Sequence, residues 1–210
     1  MGDVREIRAL LDKKGEQSWG LFIYRACSYN DDSQWERFME RFKGFARERI
    51  QWFEETDGGE PILHRLEWNV QEDPALETCS MQDIWRRHRD LMRDRFGEYD
   101  GWHIRHAFPL IVTQEAMDSV LAAPTAAEWD PDDYKSHPAH LVLLDMAYYD
   151  DQEESEQTPQ GGGEVEKFDP ENVPFRKVFV RDVYPRLYSM LIDAEWDIMR
   201  PVPPGIVRMP

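Results

Sequence analysis

His64 and His106 are the titratable side chains whose surroundings best suit chemistry, because each falls in the apolar phase of a segment that alternates like a strand. Two imidazoles facing one cleft can act as acid and base, or hold a metal together with a carboxylate. The simpler and preferred reading is a pair of partly buried histidines satisfied by backbone groups or tyrosine hydroxyls. His103 would lie on the face opposite His106 in an extended segment, so that spacing does not build a metal site. His137 and His140 flank Pro138 in a loop. No metal and no cofactor is therefore expected.

The second constellation is cationic. Arg86, Arg87, Arg89, Arg93 and Arg95 crowd one amphipathic segment, a basic surface that could grip phosphate, an anionic metabolite or an acidic partner. The competing reading pairs these arginines with carboxylates of the same chain, such as Asp90 and Asp94, and surface pairs of that kind contribute only ~0–1 kcal/mol each. The binding residues we expect are Arg86, Arg87, Arg89 and Arg93. Between Asp150 and Glu171 stand nine carboxylates against the single Lys167, a net −8, with no calcium-loop spacing among them. The chain carries no nucleophile elbow, P-loop, dinucleotide fingerprint or zincin helix.

The elements that must position these residues follow from periodicity. Trp19 to Ala26 is a short aromatic and aliphatic run that reads as a strand buried on both faces. Asn30 to Ser33 supply caps for a long helix whose Trp35, Phe38, Met39, Phe42, Phe45, Ala46 and Ile50 recur at three and four residues, and Gly58 and Gly59 end it. Ile62 to Val70 alternates as a second strand. Ser80 and Asp83 open a second helix, running to about Phe96 and ending near Gly97, with Ile84, Trp85, His88, Leu91 and Met92 at helical spacing. Trp102 to Val112 is predicted as a third strand, Gln114 to Ala123 as a short helix and His140 to Tyr148 as a fourth strand. Val178 to Val180 reads as a short strand, and Asp182 to Asp193 as a last helix.

This order predicts an α+β class protein. The expected architecture is a ferredoxin-like sandwich: an antiparallel or mixed sheet, helices on one face and an extra helix after the second strand. Residues 1–210 read as one domain, with 150–172 an acidic mobile loop and 200–210 an extended proline-rich tail.

At 210 residues such a chain buries roughly 70% of its unfolded surface. An apolar share of 41% with eight Trp and ten Phe stabilises it without disulfides. Cys27 and Cys79 read as reduced thiols. The charged segment from Met1 to Lys14 is no signal peptide, and Glu6 breaks the myristoylation pattern after Gly2. No apolar run approaches the ~18 residues of a membrane span. The expectation is thus a soluble, cytoplasmic protein without membrane partners. A net charge of −17 argues against nucleic acid as well.

Trp19-Gly20, Tyr24-Arg25 and Trp35 near one end, and Tyr184-Pro185, Leu187-Tyr188, Leu191, Asp193, Trp196 and Pro203-Pro204 near the other, resemble a family of uncharacterised ascomycete fungal proteins. The resemblance implies a source and a layout, and no activity or site residue. Two functions remain: a non-enzymatic interaction or regulatory domain, and a small-molecule enzyme or binding protein, as in fungal specialised metabolism, with a cavity near His64 and His106. The expected partners are a protein or a small anionic ligand, with homodimerisation left open.

Overall fold

The computed structural model describes residues 2–97, 103–129, 138–146 and 175–192. Helix α1, Asp3–Lys14, was not evident from the charged N-terminal sequence, yet Val4, Ile7 and Leu11 line one face of it and are fully buried. Asp3 and Glu6 in its first turn and Lys13 and Lys14 in its last complement the helix dipole. Gly15, at φ 67°, ends it in the left-handed conformation that glycine adopts without strain.

Strand β1, Phe22–Ala26, and helix α2, Asp32–Asp57, form where the sequence predicts them. The Asp31 side chain accepts from the backbone amides of Ser33 and Gln34, satisfying two free donors at the α2 N-terminus. Strand β2 is only Asn69–Gln71, and helix α3, Met81–Phe96, opens on the expected reciprocal cap of Ser80 and Asp83. A single helical turn α4, Ile104–Ala107, precedes strand β3, Leu110–Thr113, and helix α5, Gln114–Ala122. Strands β4, His140–Leu144, and β5, Phe175–Phe179, lead through tight turns to helix α6, Tyr188–Ile192. Thr113 caps α5 by accepting from the Ala116 amide. Thr113→Ala is expected to destabilise the protein by about 1 kcal/mol in urea unfolding.

The protein is an α+β fold with a five-stranded mixed open sheet, ordered β2-β1-β3-β4-β5. Strand β1 is parallel to both neighbours, and β3, β4 and β5 pair antiparallel in succession. Leu21, Ile23, Leu110, Val112, Leu141 and Leu143 point into a large core with α1, α2, α5 and the C-terminal turns. Phe22, Tyr24, Ile111, Val142 and Leu144 point the other way, into a smaller core under α3.

Helices on both faces correct the ferredoxin-like expectation of helices on one face. The cause lies in the strands themselves. Strand β1 is apolar at consecutive positions, as the sequence shows, and a strand buried on both sides needs cover on both sides. The two crossovers, through α2 and through α3, supply that cover.

Two predicted strands are also corrected. Within Ile62 to Val70, Leu63–Arg65 is a 3₁₀ turn, because the Glu54 carboxylate accepts from the amides of Ile62 and Leu63 at 2.7 and 2.9 Å and draws the chain out of line. In Trp102 to Val112, Ile104, Ala107 and Phe108 also fit helical spacing, and the His103 carbonyl closes that turn by accepting from the amides of His106 and Ala107. The last helix begins later than predicted, at Tyr188. Trp102, Tyr148, the acidic segment 150–172, Asp193, Trp196 and the tail 200–210 lie outside the described residues.

Candidate functional site

Helix α3 carries the densest chemistry, and a buried histidine holds it against the sheet. His88 is fully buried, with its Nδ1 2.9 Å from the Tyr24 hydroxyl and its Nε2 2.7 Å from the His106 carbonyl oxygen. A carbonyl can only accept, so Nε2 carries the proton and Nδ1 accepts from Tyr24. The edges of Phe22 and Tyr24 meet the ring at 5.4 and 5.6 Å between centroids. Burial pushes the His88 pKa down to about 4, partly opposed by its bond to the His106 carbonyl, so the imidazole is neutral at pH 7. Burial likewise raises the Tyr24 phenol, with Arg95 pulling the other way. The sequence reading expected His64 and His106 to be partly buried and satisfied by backbone groups or tyrosine hydroxyls. The residue so held is His88.

The outer face of α3 carries Arg86, Arg87 and Arg93. Arg86 pairs with Asp83 at 3.3 Å, Arg87 with Asp73 at 2.8 Å and Arg93 with Asp90 at 4.0 Å. The three arginine side chains remain 52%, 43% and 59% exposed, so these are weak, hydrated pairs that an acidic partner can replace. Arg89 lies over the Trp85 ring and Arg95 near that of Phe22. At the end of the row Phe96 is 56% exposed and stacks on His106, with centroids 4.4 Å apart. His106 stacks in turn on His103 at 4.5 Å, and His103 Nε2 donates to Glu16 at 2.9 Å. The helical turn at Ile104–Ala107 thus puts His103 and His106 on the same side, where strand alternation would have separated them.

His64 and His106 do not form the expected pair. His64 is exposed on the 3₁₀ turn, in an open polar cleft with Asp12, Gln17, Ser18, Glu60, Arg65 and Glu67, whereas His106 belongs to the ring stack beside α3. The strands that follow them, β2 and β3, are separated by β1. His140 opens β4, its Nδ1 donating to the Pro138 carbonyl, and His137 lies outside the described residues. Among the described residues no three His, Cys, Asp or Glu side chains group to hold a metal. No described helix is long and apolar enough to cross a membrane.

Open sheets with parallel strands commonly bind ligands beyond the C-terminal end of the strand where chain direction switches sides, here β1. Arg25 fills that position. Its guanidinium donates to Asp32 at 2.9 Å, Glu72 at 3.3 Å and the Ser28 carbonyl at 3.0 Å, and lies 4.1 Å from the Tyr29 ring centroid. Gln114 closes the other side by accepting from the Ser28 amide. Burial raises the pKa of neighbouring Cys27 more than Arg25 lowers it, which keeps the sulfur a thiol.

No protein-family model, curated protein or solved structure matches this chain.

Proposed function

We propose that the protein is a non-catalytic interaction domain that docks an acidic segment of a partner protein on the outer face of α3. The observation that carries this reading is the exposed Phe96, stacked on His106 at the C-terminal end of the helix that bears five arginines. Interface energy concentrates in aromatic and arginine anchors, and this surface offers both side by side. Its resident aspartate pairs are solvent-exposed, so exchanging them for a partner's carboxylates sacrifices little. The chain's overall −17 disfavours polyanions everywhere else, which gives the row its selectivity. Free Cys27 and Cys79 suit a reducing compartment such as the cytoplasm.

Fluorescence anisotropy with a labelled oligoglutamate peptide tests the proposal. Binding should weaken steeply with salt, and the double variant Arg86→Glu, Arg93→Glu should lower affinity by about tenfold or more. Phe96→Ala should lower it several-fold without changing the salt slope. Tighter binding of a single-stranded DNA oligomer than of the peptide would reassign the row to nucleic acid, and binding of neither would remove it as a docking surface.

A further inference from the structure

We propose that the cleft between α2 and the turn after α5 binds a small amphiphilic carboxylate, an aryl or branched acyl body carrying one acid group. The cleft has a volume of about 510 Å³ and is lined by Arg37, Glu40, Arg41, Gly44 and Arg47 on one wall and by Leu121 and the turn Thr125 to Ala127 on the other. That volume falls among those of small-molecule sites. Gly44 is the anomaly in its wall. A glycine inside a helix is less stable than alanine, and a methyl group added at Gly44 would meet nothing within 4 Å. No packing among the described residues therefore demands the glycine, whereas the close approach of a ligand to the helix backbone would.

The charges fit the same occupant. Arg41 donates to the Val120 carbonyl at 3.2 Å and to that of Ala123, closing the C-terminal end of α5, and so stands as part of the cleft wall. Arg47 forms no hydrogen bond or ion pair among the described residues, and Arg37 donates to the Ser33 carbonyl at 3.4 Å and stands near enough to Asp31 for that carboxyl to feel its charge. Arg37, Arg41 and Arg47 present three guanidinium groups to one cleft against the single lining carboxylate of Glu40, an excess of positive charge that suits an anion. Arg37 and Arg47 stand on either side of Gly44, about 15 Å apart along the helix. Leu121, Ala126 and Ala127 offer an apolar wall for the body of the ligand. Glu40 in the same wall, and Glu128, near enough to Arg41 for its carboxyl to feel that charge, disfavour a second acid group on the occupant.

Calorimetric titration with 2-naphthoate is the test, with 2-naphthalenemethanol as the uncharged control. Naphthoate should bind with a Kd below about 1 mM, and Arg47→Ala and Gly44→Leu should each weaken it by about tenfold or more. The alcohol should not bind. The α3 double variant Arg86→Glu, Arg93→Glu should bind naphthoate as the unaltered protein does, which separates this site from the docking surface. Gly44→Leu should melt no lower than the parent, since its side chain enters open space; should it melt lower, Arg47→Ala alone decides. Absence of naphthoate binding, equal binding of the alcohol, or variants with the parental Kd would overturn the proposal.

Discussion

Lowering the pH from 7 to 4 is expected to remove about 3 kcal/mol of stability through His88 alone. The folded-state pKa is depressed to about 4, against 6.5 for a free histidine, and each unit is worth about 1.4 kcal/mol. The unfolded chain takes up this proton first as pH falls, so the contribution is complete above about 6.5 and is lost on descent to about 4. Asp182 acts in the opposite sense, because burial raises its carboxyl above the ordinary range despite Arg49. The comparison must therefore be made against a variant. His88→Leu should be less stable at pH 7 by about 2–3 kcal/mol, having left the Tyr24 hydroxyl and the His106 carbonyl without a buried partner. Its urea-unfolding free energy should vary less with pH, so that the two curves converge near pH 4. Parallel curves would mean that folding leaves the His88 pKa unshifted.

The second large effect is expected at Tyr184. Its hydroxyl accepts from the Leu21 amide at 2.9 Å, and its ring meets Trp19, Phe42 and Trp68 at 5.6, 5.9 and 5.7 Å. Tyr184→Phe keeps the ring and orphans a buried amide next to β1, costing about 1–3 kcal/mol. Tyr184→Ala also opens a cavity among these three aromatic side chains and should cost about 3–5 kcal/mol. Chemical denaturation of both variants separates the two contributions. Equal losses would show that the hydroxyl, and not the ring packing, dominates.

The same cluster explains part of what was legible in the sequence. Trp19 and Tyr184-Pro185 with Leu187-Tyr188 stand at opposite ends of the chain, and the fold brings them together, with Trp19 5.1 Å from the Tyr188 ring. These residues are core. Long periodic segments were readable because many positions agree: α2 and α3 appear with the expected caps and buried faces. Short ones were not, since five or six residues from Ile62 or from Trp102 satisfy both periods, and remote partners decide between them. Glu54 decides the first. The arginine row was visible because a charge-rich helix face needs no tertiary information. Its junction with Phe96, His106 and His103 was hidden, because stacking those rings depends on a helical turn where alternation suggested a strand. The α2 cleft was hidden for a similar reason: its second wall comes from residues some eighty positions further along the chain than Arg41.

Mapping backbone amide shifts by NMR during titration with the oligoglutamate peptide bears most directly on the docking surface. Perturbations should form one contiguous patch along Arg86 to Phe96 and across His103 to His106, and fade together as salt is raised. Shifts confined to the α2 cleft, or scattered over the surface without saturating, would contradict the assignment of α3 as the interface.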